Sequence, residues 1–426
     1  VTSLSAFLFS AQFPVHFKNG LADLSQRDGR AQKDKFMDQT QFDVVVVGGG
    51  MVGAALASGL AQQGFQVAVL EREIPSAFNP DAPPDVRISA IGCASVDLLQ
   101  QLDVWPGVQQ MRCAPYRKLE TWEWQTARVA FDAASLGLPE LGYMVENSVL
   151  QRALWQRLQQ QPVTLFAPAK LQQMQQHNGG WRLTLEEGKH LSTRLVIGAD
   201  GANSQVRQLA GIGIQGWNYS QSCMLISVEL DHEAGDTTWQ HFTPDGPHAL
   251  LPLYGRWASL VWYDSPARIR QLQALAPEQL QKEVARCFPA RLGRFRVQQA
   301  ASFPLVRRHA THYVLPGLAL VGDAAHTINP LAGQGVNLGY RDVDALIDVL
   351  ATARNQAEDW SSERVLLRYQ RQRQRDNLLM QSGMDLFYFA FSNRLPPLRM
   401  LRNIGLMAAE RAGVLKRQAL RYALGL

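Results

Sequence analysis

Three glycines in the pattern Gly48-x-Gly50-x-x-Gly53 carry the first chemistry legible in this chain. Between a strand and a helix, this spacing makes a tight turn that lets a pyrophosphate approach the backbone. The helix N-terminus then favours the negative charge. Glu71, 18 residues beyond Gly53, is an acid with the reach to accept ribose hydroxyls. A glycine-rich turn alone is common, so the flanking elements decide. Asp43-Val44-Val45-Val46-Val47 is a short apolar run of the kind buried on both faces of a sheet. Ala54 to Gln63 reads as a helix stopped by Gly64, and Phe65 to Leu70 as a second strand. The unit binds a dinucleotide. On its own logic it leaves NAD and FAD equally open.

Two later segments close that choice. Asp200-Gly201-x-x-Ser204-x-x-Arg207 follows the apolar strand Leu195 to Ile197. Val321-Gly322-Asp323-Ala324-Ala325-His326 is followed by Pro330 and then by Gly333-Gln334-Gly335-x-Asn337. With the first glycine motif, and in this order, they resemble the motifs of the aromatic-ring flavin hydroxylases. Asp85 to Ala90, Tyr143 to Asn147 and Met407 to Leu426 resemble the ubiquinone-biosynthesis branch of that family. The resemblance spans Gly48 to Asn337 and implies FAD. It implies cofactor contacts from Gly48, Gly50, Gly53, Glu71, Arg87, Asp200, Asp323, Pro330, Gly333, Gln334, Gly335 and Asn337. Gln151 stands where many relatives carry an arginine beside the adenosine phosphates. Asp200 and Arg207 are implied to serve FAD and the pyridine nucleotide together.

The activity implied is that of a single-component monooxygenase. NAD(P)H, with NADPH the expected donor, reduces FAD, and O2 adds to give a flavin C4a-hydroperoxide. The distal oxygen then passes to the ring of a polyprenylated methoxy-methyl-benzoquinol. Alternatives are a sibling hydroxylase acting on a polyprenylphenol at another ring position, a flavin dehydrogenase, and a non-enzymatic FAD-containing scaffold of a biosynthetic complex. The residues carry their own physics beside the resemblance. Asp323, at the end of the strand from Leu318, has a carboxylate able to accept ribityl hydroxyls, although turn and N-cap roles are the commoner use of Gly-Asp. Gly333-Gln334-Gly335 opens a helix with Val336, Tyr340, Val343, Ile347 and Leu350 on one face, its N-terminus free to stabilise an anionic flavin. His326 belongs to the motif's turn and reads as structural. No catalytic residue is assigned, and the four cysteines form no CxxC pair, so no metal site is indicated.

These motifs sit in a chain of 426 residues, 46% hydrophobic and 19% charged, which excludes disordered and collagen-like classes. The fold class expected is α/β: a Rossmann-like FAD domain with an inserted antiparallel substrate sheet and a C-terminal helical region. The FAD domain is assigned to 41–118, 142–215 and 304–375, and the substrate lobe to 119–141 and 216–303. Cys223 to Leu230, Thr237 to Phe242, His248 to Leu253 and Trp257 to Tyr263 are its strands. Trp122, Trp124, Trp217, Trp239, Phe242, Trp257, Trp262 and Tyr263 are either pocket or core. Residues 1–40 read as an extension outside the fold, carrying no chemistry.

The region 376–426 is basic. From Arg364 to Leu426 there are 12 Lys/Arg against 3 Asp/Glu, on a remainder with 30 against 34. Arg394, Arg399, Arg402, Arg411, Lys416, Arg417 and Arg421 follow Met384, Leu386, Phe387, Phe389 and Phe391. That mixture fits either an interfacial helix pair on anionic lipid or a face packed on the body with solvated or partner-binding arginines. A cytoplasmic protein, peripheral on the inner face of the membrane and without a nucleic-acid partner, is the expectation. Other ubiquinone-biosynthesis enzymes are possible partners.

Overall fold

The structure is a computed structural model that describes residues 40–328, 335–392 and 395–424. Residues 1–39 of the expected extension at 1–40, together with Pro330, Gly333, Gln334 and Arg394, lie outside the described residues, while Thr40 begins the first strand. The first sheet has Thr40–Val47 at its centre, parallel to Val67–Leu70 on one side and to His190–Gly198 on the other. Val163–Phe166 and Leu318–Leu320 extend it in parallel. A strand flanked in this way is covered on both faces, which is why Val44, Val45 and Val46 are fully buried. The helix Met51–Gln62 joins the first two parallel strands, as the spacing requires.

The second sheet runs His326–Thr327, Phe295–Ala310, Ile214–Leu230, Trp257–Asp264, Gly246–Pro252, Thr237–Thr243, Lys118–Trp122 and Arg128–Asp132. Its backbone is the 17-residue strand Ile214–Leu230 paired antiparallel to Phe295–Ala310 along nearly its whole length. The positions 216 and 303 fall inside these continuous strands, so no linker separates the sheet from the cofactor unit. The sequence pattern predicts this strand from Cys223, whereas it begins at Ile214 with an exposed stretch through Trp217. In addition, an irregularity between Asn218 and Ser222 resets the inward-outward phase. Helices Pro266–Gln273 and Pro277–Cys287 cover one face with Leu272, Leu280 and Val284. A small third sheet joins Ile88–Gly92, Gly142–Glu146 and Ala114–Tyr116.

Four helices close the chain: Gly335–Asn355, the long helix Glu363–Phe391, Pro396–Arg411 and Val414–Leu424. Pro396 and Pro397 begin the third of these, where missing N–H groups cost nothing. No helix among the described residues is long and apolar enough to cross a membrane. The long helix buries a polar ladder at four-residue spacing, Arg373, Asn377, Gln381 and Asp385. Arg373 Nε donates to Asp342 Oδ1 at 2.9 Å, and Asn377 Nδ2 donates to the same oxygen at 3.2 Å. Gln381 Nε2 donates to the carbonyls of Arg308 and Thr327. Asp385 accepts from the Tyr219 hydroxyl and pairs with Arg307. The ladder therefore ties one helix to the second sheet and to the chain after Gly322.

Asp342 is fully buried, which pushes its carboxyl up, but His326 and Arg373 outweigh burial and bring it to about 2. Its folded value lies below the ordinary aspartate range, so its contribution is present at neutral pH and is lost as pH falls from about 4 toward 2. Asp342→Asn keeps the shape and removes the carboxylate that Arg373 and His326 share, leaving Arg373 with Asp376 at 2.6 Å as its charged partner. We expect it to destabilise the protein by about 3–5 kcal/mol at pH 7, measured by denaturant unfolding, with the deficit shrinking as the parent is acidified.

Candidate active site

Gly48 turns the chain out of the first strand with φ +106°, and a Cβ there would meet the Ala199 carbonyl oxygen at 2.4 Å. Gly53 packs so tightly that a Cβ would lie 1.9 Å from the Gly48 oxygen. Gly50, the N-cap of Met51–Gln62, is the contrast: a Cβ there would meet nothing within 4 Å. Open space in front of a helix N-terminus, between two close-packed glycines, is the cradle a pyrophosphate needs. Glu71 Oε2 accepts the Gly49 N–H at 2.6 Å, while Oε1 takes those of Arg72 and Glu73. The acid thus locks the turn and holds an acceptor at its edge. Gln151 Nε2 and Trp155 Nε1 both donate to the Gly49 carbonyl, at 3.1 and 2.7 Å. Gln151 therefore braces the glycine turn from behind.

From this turn a cavity of about 710 Å³ runs toward the second sheet. Its near wall is Gly50, Arg87, Gly201, Gly322, Asp323 and Gly335. Its far wall is apolar strand: Leu225, Ala249, Leu251, Val261 and Phe303. The Gly335 and Val336 end of the Gly335–Asn355 helix reaches the cavity, as the motif's spacing implied. Arg87 is exposed on the wall, and its charge is felt at Asp323. Asp323 sits in a single helical turn, Gly322–Ala324, open to the cavity. Crowding by protein still raises its carboxyl above the ordinary value, with His326 and Arg87 pulling the other way.

Several expected contacts face the protein instead. Asn337 is buried. Its Nδ2 donates to the Ala90 carbonyl at 2.7 Å, and its Oδ1 accepts from Gly92 N and Ser95 Oγ. Its side chain braces its helix against the small sheet. Arg207 is also buried and donates to the carbonyls of Ala324 and Ala202, clamping the second motif's loop to the third. Asp200 Oδ2 accepts the N–H groups of Gln205 and Val206, while its buried Oδ1 lacks a partner. His326 is sealed between Asp342, at 2.5 Å, and the Tyr313 ring, consistent with a structural reading. Of the eight aromatic candidates, Trp239 and Tyr263 line the cavity. Trp122 and Trp262 are core, and Trp124 and Trp217 are exposed.

The open space in front of Gly50, and the Asp200 oxygen without a partner among the described residues, fit a dinucleotide. Residues 41–378 match the FAD binding domain family. The chain belongs to that family and is an FAD-dependent monooxygenase that takes its electrons from NAD(P)H. The 3-demethoxyubiquinol 3-hydroxylase of Escherichia coli is 66% identical over 391 residues, 92% of this chain and 100% of that protein. The ubiquinone hydroxylase UbiL of Rhodospirillum rubrum is 39% identical, over 90% of this chain and 89% of its own. In fold, the chain matches p-nitrophenol 4-monooxygenase from Pseudomonas putida with a TM-score of 0.76 at 21% identity, covering 91% and 99% of the two chains.

Removing the Asp323 charge has opposite expected effects on cofactor and apoprotein. Asp323→Asn is expected to weaken FAD affinity by about ten- to a hundredfold, the loss of one charge-assisted bond. Because the folded carboxyl is raised, its charge is unfavourable in the apoprotein at neutral pH. The variant apoprotein is therefore expected to melt higher than the parent at pH 8, with the gain vanishing in acid. Fluorescence titration with FAD and melting of the stripped protein check the two halves.

Proposed function

We propose that this chain hydroxylates the ring of a polyprenylated methoxy-methyl-benzoquinol in ubiquinone biosynthesis, using NAD(P)H and O2. The observation that carries the reading is the two-sided cavity, with glycine-rich loops on one wall and apolar strands on the other. A flavin would be held by Gly50 and the N-terminus of Met51–Gln62 at its pyrophosphate, with Glu71 at a ribose and Asp323 along the ribityl chain. Bound FAD supplies the electron and oxygen chemistry. The chain's own work is placement and exclusion of water. Leu225, Leu251, Val261 and Phe303 form a dry face for an apolar-tailed ring. Among the residues that line the cavity, the charged ones are Arg87 and Asp323, both on the flavin wall. A ring that already bears hydroxyl groups is electron-rich and needs little further activation, which agrees with a far wall free of an acid–base pair. The 66% identity to the Escherichia coli 3-demethoxyubiquinol 3-hydroxylase supports this substrate.

The substrate's tail leaves it in the bilayer, so the enzyme works peripherally at a membrane surface. Arg402 is buried against the Glu123 carboxylate and faces away from such a contact, while Arg399 bonds the same carboxylate from a part-exposed position. Cells lacking this protein are expected to accumulate the polyprenylated quinone without the hydroxyl group, restored to ubiquinone by the parent gene and not by a Gly50→Val variant that fills the cradle. Mass spectrometry of quinone extracts reads the result. Accumulation of an earlier phenolic intermediate would instead assign a sibling step, and unchanged quinones would remove the reading.

A further inference from the structure

The last two long helices are built inside out. The long helix turns Arg373, Asn377, Gln381 and Asp385 toward the protein, and Pro396–Arg411 turns Arg402 and Asn403 inward to Glu123. From Leu378 onward the outward positions are largely apolar: Leu386 is 73% exposed, Phe389 59% and Leu401 65%, with Leu379, Leu398 and Ile404 beside them. Twelve of the seventeen exposed large hydrophobic side chains among the described residues lie from Leu378 onward. A surface helix in water carries the opposite pattern, and a concentration of this kind marks a contact face.

The charges around the face indicate what covers it. Arg371, Arg375, Arg411, Arg417 and Arg421 are exposed and, among the described residues, have no acidic partner. A second copy would bring like charges together across a two-fold axis, whereas a bilayer containing anionic lipid complements both the leucines and the arginines. The long helix also stands directly behind the cavity. Its Met380 and Met384 pack with Ile328, and its Tyr388 with Cys223 and Tyr263, all three of which line the cavity. One helix thickness, about 10 Å, therefore separates the apolar face from the dry wall.

We propose that the outward face of Glu363–Phe391 and Pro396–Arg411 rests on an anionic bilayer, so that a polyprenyl tail lies in lipid while its ring reaches the cavity past the long helix. This rests on the tailed substrate proposed above. The test uses the FAD-loaded full chain and vesicles of phosphatidylcholine, with or without phosphatidylglycerol. The parent is expected to float with the mixed vesicles, and Leu386→Glu, Phe389→Glu and Leu401→Glu each to reduce recovery by about tenfold. FAD content and turnover of a short-tailed, water-soluble quinol are expected to stay at the parent level, while turnover of a long-tailed quinol in vesicles falls. Variants that float like the parent would overturn the proposal. So would a parent that fails to float and dissociates from a dimer to a monomer on these substitutions. Failure of the parent to hydroxylate either quinol would instead refute the substrate, leaving the flotation result to stand alone.

Discussion

The buried carboxylate of Asp342 is where the cofactor wall and the C-terminal helices are held together. One oxygen accepts the Gly322 N–H at 3.0 Å and meets His326, and the other accepts from Arg373 and Asn377. Gly322 precedes Asp323, so the position of this cavity-lining acid is set by a residue nineteen positions after it and by a helix further on. An ion pair at this depth gains little net stability, since desolvation offsets attraction. Its geometry is nevertheless hard to abandon, because a buried charge left alone costs several kcal/mol. Such a pair selects one arrangement of loop and helix over near alternatives. The same choice has a consequence on the other side of the long helix. With its inner face spent on Arg373, Asn377, Gln381 and Asp385, Leu378, Leu379, Leu386, Phe387 and Phe389 are left pointing outward.

The cavity divides labour by secondary structure. Loops between parallel strands supply backbone N–H groups, close approach and a few charges, which a dinucleotide requires. Strands of the second sheet supply an apolar face that needs no charge. The 17-residue strand Ile214–Leu230 runs without a break between the two regions, so the walls are fixed relative to each other by a hydrogen-bonded ladder rather than by a hinge. Arg207 adds a cross-brace, carrying the second motif's loop onto the third through Ala324.

What could be read from the sequence was whatever rests on local spacing. The strand at Val44, the turn at Gly48 to Gly53 and the acid at Glu71 interact within one βαβ unit, and their order alone determines their meeting. The surroundings of Asn337 and Arg207 were not legible, because a motif tells which residues recur together, while their bonding partners, Ala90 and Ala324, come from distant elements. Trp155 carried a signal, one helical turn beyond Gln151, that becomes meaningful only once both are seen on the Gly49 carbonyl. The polar ladder was the least legible feature. Arg373, Asn377, Gln381 and Asp385 at four-residue spacing look like a solvated stripe, and the tertiary structure inverts that reading. Arg399 and Arg402, which the sequence leaves open between lipid and protein, bind Glu123 and anchor their helix with its leucines outward.

The central claim is that oxygen from O2 is inserted into a quinol ring placed against the apolar wall. Turnover of the FAD-loaded enzyme with NAD(P)H, a demethoxyquinol and ¹⁸O2 tests it in a single mass spectrum. The account requires a product heavier by one hydroxyl oxygen and carrying the label. Substrate-dependent NAD(P)H oxidation that yields an unlabelled or merely oxidised quinone would contradict it and make the chain a flavin dehydrogenase.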